Sequence, residues 1–272
     1  MSFIKEKTIT INLRLSKPYK LIQFSDVHVA TYNQQTDDQE SIHQAIKQEQ
    51  TWMKQRQDFA RKFNEPFDSK SMLSSVDCLS QLIDYANHED PDLVLLTGDI
   101  IDYYSPSNYN FLIQSVKNIH APYLFSCGNH EYPPENFLEL CNDSLEFNMI
   151  EFNDFLVVSI DNSKRKITAA RLKAFESILE RGKPIIIAMH IPMMTTFNFD
   201  EFSKFDDYYT MKYSDLDVTT NQFIQTVTSC EQVKAIFCGH IHGSMVSFVA
   251  PNIPQYCCSS GLIGYVNKII IK

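Results

Sequence analysis

The residues of this chain that could do chemistry recur at one kind of place, the point where an apolar run ends. Five of the eight histidines lie there, namely His28, His130, His190, His240 and His242. The chain has only seven glycines in 272 residues, and four of them stand beside potential metal ligands, namely Gly98, Gly128, Gly239 and Gly243. Apolar runs do not end repeatedly in histidine and glycine by chance, so we interpret these positions as one set.

Five short motifs carry this pattern in order along the chain. They are SDVH with Asp26 and His28, TGDIID with Asp99 and Asp102, CGNHE with Asn129 and His130, MHIP with His190, and CGHIHG with His240 and His242. Each motif alone is a weak signal, because DxH and HxH are common in polar loops and a lone histidine is often a hydrogen-bonded core residue. Ligands of α/β sheets gather outside the carboxyl ends of the strands, so together the motifs predict one shared site.

Hydrophobic periodicity indicates the elements that must position these residues. The predicted strands are 7–14, 19–24, 93–96, 123–126, 185–189 and 233–238, with a hairpin of 145–150 and 155–160 around Asn153-Asp154. The predicted helices are 37–63, 72–88, one from Pro106 capped by Ser105, a short one near Pro134, one from Thr168 to Gly182, and 218–229. Only strands are predicted after residue 244. Alternating strands and helices followed by strands favour mixed sheets covered by helices, an α/β fold.

Composition limits the classes of function. The net charge of −9 argues against a broad basic face for duplex nucleic acid. The longest largely apolar stretch, Pro184 to Met194, is interrupted by His190 and is too short to span a membrane. The first residues lack the apolar region of a signal peptide, and the seven cysteines form no CxxC pair. We therefore expect a soluble, cytoplasmic protein with buried thiols.

The five motifs, in this order, resemble the calcineurin-like metallophosphoesterase superfamily, whose pattern is DxH, GDxxD, GNH[DE], a lone His and GHxH. The resemblance runs from Asp26 to His242, and the segments VVSIDNS (157–163) and CCSSGLIGYVNKIIIK (257–272) resemble the family's later strands. It implies two mixed β-sheets packed as a sandwich and flanked by helices. We predict one domain over residues 1–272, with a helical insertion at about 31–71 and a loop insertion at about 192–217.

The resemblance also implies two divalent metal ions and names their ligands. The first ion would be held by Asp26, His28 and His242, the second by Asn129, His190 and His240, and both would share Asp99. His130 would lie beside the ions and face the substrate, with Asp102 orienting it. A ligand set of nitrogen and oxygen suits Mn, Fe, Zn, Ni or Co. Two such ions leave a positive site despite the acidic chain.

The implied activity is hydrolysis of a phosphomonoester or phosphodiester by attack of a metal-bridging hydroxide. The partner would be a small phosphate ester, with nucleotides among the candidates. Tyr103 and Tyr104 stand where the Ser/Thr protein phosphatases have Arg, and His28 and Asp102 stand where purple acid phosphatases have Gly and Tyr. Neither subgroup fits, and the choice among small phosphodiesterases, cyclic-nucleotide enzymes, phosphomonoesterases and pyrophosphatases stays open.

The sequence leaves open whether the chain is active, what His130 does and what the aromatic residues of the loop segment contact. An inactive interaction module would keep the fold, but such modules have usually lost a ligand, and here none is missing. His130 either protonates the leaving oxygen or only supports the phosphate electrostatically. The aromatic residues of the loop segment stack a nucleobase or form a small satellite core; they are Phe197, Phe199, Phe202, Phe205, Tyr208 and Tyr209.

Overall fold

The computed structural model describes residues 3–62, 64, 72–142, 144, 146–213 and 217–272. Strands β1–β13 span, in chain order, Lys5–Ile11, Tyr19–Phe24, Leu93–Leu96, Tyr123–Phe125, Asn148–Glu151, Leu156–Ser159, Ile185–Ala188, Met193–Met194, Met211–Lys212, Val233–Cys238, Met245–Ala250, Ile253–Cys257 and Tyr265–Ile271. Helices α1–α6 span Gln39–Lys62, Ser75–Glu89, Pro106–Val116, Ala169–Leu179, Phe199–Phe202 and Val218–Ser229. Leu145, where the predicted hairpin begins, and residue 63, where the first predicted helix ends, lie outside the described residues.

The longer strands form two mixed sheets. One sheet has the order β1-β13-β2-β3-β4, with β2, β3 and β4 parallel to one another. The other has the order β11-β12-β10-β7-β6-β5, with β12, β10, β7 and β6 parallel. The predicted hairpin is confirmed, because β5 pairs with β6 antiparallel. The short strands β8 and β9, which periodicity does not indicate, form a separate parallel pair.

In the part of the chain that the structure describes, three apolar cores show how these sheets are layered. One core lies between the sheets and joins residues such as Leu95 of β3 with Ile186 of β7. A second packs the other face of the first sheet against α2 and α3, and a third packs the second sheet against α4 and α6. The layers are therefore helix, sheet, sheet and helix. This confirms the prediction of an α/β sandwich of two mixed sheets flanked by helices.

Helix α1 buries a face that periodicity indicates only in part. The apolar spacing includes Ile42 and Ile46, of which Ile42 is buried and Ile46 is 38% exposed. The buried face also carries Ala45, Trp52, Arg56 and Ala60. Because an arginine and a tryptophan are buried on this otherwise polar helix, the spacing of its apolar residues does not predict which side packs against the protein.

Side-chain caps begin the helices where the sequence indicates. Ser105 and Thr168 each accept a hydrogen bond from a backbone N–H of the first turn, and Asp217 does the same for α6. These bonds satisfy amide groups that have no partner within the helix. Among the described residues, no helix combines the length and apolarity needed to cross a membrane. A cytoplasmic location stays a prediction.

The parallel strands of both sheets end at one edge of the sandwich. Gln23, near the end of β2, donates from Nε2 to the carbonyl oxygen of Cys238 at the end of β10, across 3.0 Å. The backbone N–H of Gly239 in turn donates to the carbonyl oxygen of His190, which follows β7, at 2.9 Å. The loops that follow β2, β3, β4, β7 and β10 therefore come together, and these loops carry the five motifs.

Candidate metal centre

Five of the proposed ligand residues adopt a left-handed backbone conformation that residues with a side chain rarely use. Their φ values are +54° at Asp26, +47° at His28, +51° at Asp99, +71° at His240 and +52° at His242. Each such residue costs on the order of 1–3 kcal/mol and persists only where the surrounding structure imposes it. The strand ends are thus folded into strained turns that direct these side chains to one place.

Two glycines allow the turns to approach one another closely. A Cβ at Gly128 would collide with the carboxylate of Asp99, and a Cβ at Gly239 would collide with Ser25 and with the carboxylate of Asp26. Both carboxylates occupy the space that the missing side chains leave. This explains why glycine stands beside the ligand positions in two of the motifs.

The first ligand group consists of Asp26, His28 and His242 together with Asp99, and all four residues are buried. The Nε2 atoms of His28 and His242 lie 3.1 Å apart. His242 Nε2 is 3.3 Å from Asp26 Oδ1, and His28 Nε2 is 3.9 Å from Asp99 Oδ2. Two carboxylates and two imidazoles therefore converge on one point.

The second ligand group consists of Asn129, His190 and His240, again with Asp99. His190 Nε2 lies 3.1 Å from His240 Nδ1, 3.2 Å from Asn129 Oδ1 and 3.1 Å from Asp99 Oδ2. Asp99 thus lies in both groups. Every residue predicted as a metal ligand lies in one of these two groups.

Three imidazoles have an oxygen at the ring nitrogen that faces away from the cluster. His190 Nδ1 donates to the carbonyl oxygen of Thr97 at 2.8 Å, and His240 Nε2 donates to that of Tyr208 at 3.1 Å. His28 Nδ1 lies 3.2 Å from Asp102 Oδ1. A proton held at the outer nitrogen leaves the inner nitrogen as a lone-pair donor, which is how histidines that ligate metals are arranged in proteins.

The donor atoms fit divalent cations. Nitrogen and oxygen ligands lie about 2.0–2.2 Å from a divalent ion, so neighbouring donors are about 3 Å apart, as the inner nitrogens are here. Burial opposes the charged form of His190, but the carboxylates of Asp99 and Asp26 outweigh it and raise its pKa to about 9. A cation between the inner nitrogens would replace that proton and satisfy both rings. Burial lowers the pKa of His28 to about 4 and that of His240 to about 3, with the charge of His190 adding to the effect at His240. Both rings are therefore neutral and ready to bind a cation.

His130 and Asp102 lie next to the first ligand group, as predicted. His130 Nδ1 donates to the backbone oxygen of Asp102 at 2.5 Å and lies 3.2 Å from its Oδ1 atom. Burial opposes the charged imidazole, but the carboxylates of Asp99 and Asp102 outweigh it and raise the pKa of His130 to about 10. These bonds leave Nε2 of His130 as the nitrogen that can meet a substrate.

Glu131, the residue after His130, holds the ligand loops together from beneath. Its two carboxylate oxygens accept hydrogen bonds from the backbone N–H groups of Asp99, Ile100, Ile101 and Gly128, at 2.7–3.1 Å. It is fully buried and makes none of the close contacts of the ligand groups. Glu131 therefore supports the ligand loops through their backbone.

Two aromatic residues contact the site in ways that the motifs do not indicate. Trp52 of α1 stacks on the ring of His28, and its Nε1 donates to Asp102 Oδ1 at 2.7 Å. The hydroxyl of Tyr208 accepts a bond of 2.6 Å from the amide nitrogen of Asn129. In the sequence, the only signal for Trp52 is that it is a lone tryptophan in a polar helix. Tyr208 is one of several aromatic residues in the loop segment, and nothing in the sequence distinguishes it from the others.

The other aromatic residues of the loop segment divide between core and surface. Phe202 is buried in the core beneath the second sheet, with Phe205 and Tyr209 packed against the same core. Phe197 and Phe199 are 57% and 54% exposed. These three side chains therefore extend the core of the second sheet and do not form a separate satellite core.

A cavity of about 160 Å³ opens over the two ligand groups. Its walls include Trp52, Gln55 and Lys62 of α1 on one side and Tyr208 and Tyr209 on the other. Lys62 Nζ lies 5.0 Å from the ring centre of Phe205 and 5.9 Å from that of Tyr209, so the two predicted insertions meet at its rim. The cluster is thus reached through a small opening between these two segments.

Comparison with known proteins identifies the family. The model of the calcineurin-like phosphoesterase family matches residues 19–244. A Synechococcus protein named a probable cyclic nucleotide phosphodiesterase is 22% identical over 57% of this chain and 60% of its own length. An Arcobacter nitrofigilis protein named a probable glycerophosphodiester phosphodiesterase is 25% identical over 56% of this chain and 57% of its own.

Both alignments therefore span roughly three fifths of the relatives' length. Among solved structures, a dimetal phosphatase from Danio rerio has the same fold, with a TM-score of 0.59 at 11% identity, covering 90% of this chain and 88% of that one. The family model covers most of the chain and includes all five motifs. This chain belongs to the calcineurin-like phosphoesterase family.

Proposed function

We propose that this protein is a metal-dependent phosphoesterase that holds two divalent cations and hydrolyses a small phosphodiester, with a nucleotide as the candidate substrate. The observation that carries the proposal is the convergence of two complete groups of nitrogen and oxygen donors on the shared carboxylate of Asp99. Family membership supports the reaction class, and the names of the two relatives support a diester.

Each residue of the site has a role in this proposal. Two cations in such a site lower the pKa of a shared water and polarise the phosphoryl oxygens. Asp26, His28 and His242 would hold one cation, Asn129, His190 and His240 the other, and Asp99 both. Lys62 adds a positive charge at the rim of the cavity, where it would attract the phosphate of an anionic substrate.

His130 would serve the leaving group. Its Nδ1 proton is held by Asp102, so Nε2 can carry the proton that the departing oxygen needs. Bound cations would offset the negative charge of Asp99 and so lower the pKa of His130. Asp102 therefore orients the donor and helps keep it protonated.

A second groove begins where His130 and Asn129 lie, and it favours a substrate with an aromatic leaving group. Its lining includes Tyr103, Tyr104 and Tyr132, and the last two side chains are 41% and 61% exposed. A phosphorus atom over the ligand groups would put the leaving group at the mouth of this groove. Stacking of a base on an exposed aromatic ring contributes about 1–3 kcal/mol, which would favour a nucleoside over a simple alkyl group.

The test is turnover after metal removal. The chain is stripped with chelator, Mn²⁺, Zn²⁺, Ni²⁺ or Fe²⁺ is added back, and hydrolysis of bis(p-nitrophenyl) phosphate, p-nitrophenyl phosphate and cyclic AMP is followed. We expect metal-restored turnover, faster on the diesters than on the monoester, and a loss of about 10³-fold in His240→Ala. His120→Ala is the matched control, because His120 is exposed and precedes β4 at the opposite end of the strands.

The outcomes separate the parts of the proposal. Two bound cations without turnover on any of these esters would favour the inactive interaction module. A faster monoester would overturn the diester assignment alone. In His130→Asn, a loss of about 10²-fold on alkyl leaving groups with little loss on p-nitrophenolate would support the proton donor. Equal losses on both would mean that His130 acts only through its charge.

A further inference from the structure

Trp52 joins the predicted helical insertion to the first ligand group. It is the one tryptophan of the chain, and it is buried. Its ring lies 3.9 Å from that of His28, centre to centre, at an interplanar angle of 26°. Its Nε1 donates to Asp102 Oδ1 at 2.7 Å. The side chain thus contacts a proposed metal ligand directly and also contacts the carboxylate beside that ligand.

The carboxylate oxygen that Trp52 contacts also lies close to two histidines. Oδ1 of Asp102 lies 3.2 Å from His28 Nδ1 and 3.2 Å from His130 Nδ1. A donor at 2.7 Å limits how the carboxylate can turn, because rotation would break the shortest of these contacts. With Asp102 fixed, the proton of His28 stays on Nδ1 and its Nε2 stays directed at the cluster.

Helix α1 has anchors of its own that do not involve Trp52. Arg56 is fully buried and donates to the backbone oxygen of Leu73. Glu49 accepts a hydrogen bond from the backbone N–H of Ser75 at 2.9 Å and another from its hydroxyl. These bonds join α1 to the start of α2. Replacement of Trp52 by another ring therefore leaves the helix docked, so the effect on the ligand group can be measured separately.

We infer that Trp52 is a positioning residue for His28 and Asp102, through which the docking of α1 sets the affinity of the first ligand group for its cation. This inference rests on one part of the proposed function, namely that the first ligand group holds a divalent cation. The stacked ring keeps the imidazole plane in place, and the N–H group keeps the Asp102 carboxylate turned toward it. These two contacts act on the first ligand group, so we expect the affinity of the second group to be independent of Trp52.

The decisive variant is Trp52→Phe, which keeps a ring to stack on His28 and removes the N–H donor. We expect calorimetric titration of the metal-free protein with Mn²⁺ to show one of two binding steps weakened about 10–100-fold, the range measured when partners of metal ligands are lost. The other step and the circular dichroism spectrum stay unchanged. Met53→Ala, a neighbouring change on the same helix, leaves both steps as in the wild type.

The absorption spectrum of bound Co²⁺ is a second measurement, and it should not change if Trp52 only supports the fold. Co²⁺ absorbs according to the geometry of its ligands, so Trp52→Phe should alter the visible spectrum of one of two bound Co²⁺ ions. In the wild type, Mn²⁺ should quench the fluorescence of Trp52, because the ring stacks on a ligand.

Three other results would contradict the role of Trp52 or the metal centre itself. If Trp52→Phe binds both Mn²⁺ equivalents with wild-type affinity and gives the wild-type Co²⁺ spectrum, Trp52 is only a core residue and the inference is wrong. If both steps weaken together, the residue supports the fold and not one ligand group. If the wild type itself binds no Mn²⁺, the proposed metal centre fails together with this inference.

Discussion

The two ligand groups that share Asp99 differ in charge. The first contributes a carboxylate of its own, Asp26, whereas the second contributes the neutral amide of Asn129 at the corresponding place. A carboxylate attracts a divalent cation more strongly than an amide oxygen does, since it carries a full negative charge. The two proposed cations should therefore differ in affinity, and the first group should hold its cation more tightly.

The groups differ also in what holds their ligands. In the first, His28 faces the carboxylate of Asp102, which makes the imidazole a stronger donor. In the second, His190 and His240 face the backbone oxygens of Thr97 and Tyr208, which are uncharged. The first group thus contacts α1 through Asp102, whose Oδ1 atom accepts a hydrogen bond from Trp52, and the second contacts the loop segment through the backbone oxygen of Tyr208.

The largest effect is expected from Asp99→Asn, which removes the charge that both groups share. Both steps of a Mn²⁺ titration should weaken, and turnover on a phosphodiester should fall by about 10³-fold, since several kcal/mol of charge stabilisation are lost. His120→Ala serves as the control. Weakening of a single step would show that Asp99 belongs to one group only.

A smaller and more selective effect is expected from His190→Ala and His28→Ala measured side by side. His190→Ala should abolish the weaker Mn²⁺ step and leave the tighter one as in the wild type, because the first group keeps all its donors. His28→Ala should weaken the tighter step. The comparison of the groups is wrong if His190→Ala removes the tighter step.

The smallest effect is expected from Tyr208→Phe. This change removes the hydroxyl that fixes the amide of Asn129 and keeps the backbone oxygen that faces His240. The weaker Mn²⁺ step should lose about 10-fold in affinity, at the low end for such partners, while the tighter step stays constant. Tyr209→Phe is the control, because it keeps the ring that packs on His240. An equal loss in both variants would mean that the effect comes from packing.

Much of the site can be predicted from the sequence because its residues follow strands. Strands such as β2, β3 and β10 are short apolar runs whose ends are marked by polar residues, and periodicity predicts all three, and α6, with the bounds that the structure has. Because parallel strands end at one edge, the sequence alone places residues as far apart as Asp26 and His240 in one site, and the backbone N–H of His240 indeed donates to the Asp26 carboxylate.

The supporting contacts cannot be predicted in this way. Trp52 lies on a face whose burial depends on Arg56 and Glu49 reaching α2, and polar residues give no periodic signal for a buried face. Tyr208 contacts the site through a segment of short turns in which no period repeats. Such contacts depend on how two distant segments meet, and local pattern carries no information about that.

The separation of the ligands along the chain bears on how the protein is made. His28 and His242 are 214 residues apart and face each other at 3.1 Å, and the second group likewise ends with His240. During synthesis on the ribosome, neither cation can find a complete set of donors until β10 and the loop after it have emerged and folded. In the proposed metal centre, loading would therefore come late in the synthesis of each molecule, and a chain cut short before residue 240 would leave the ribosome with no complete group.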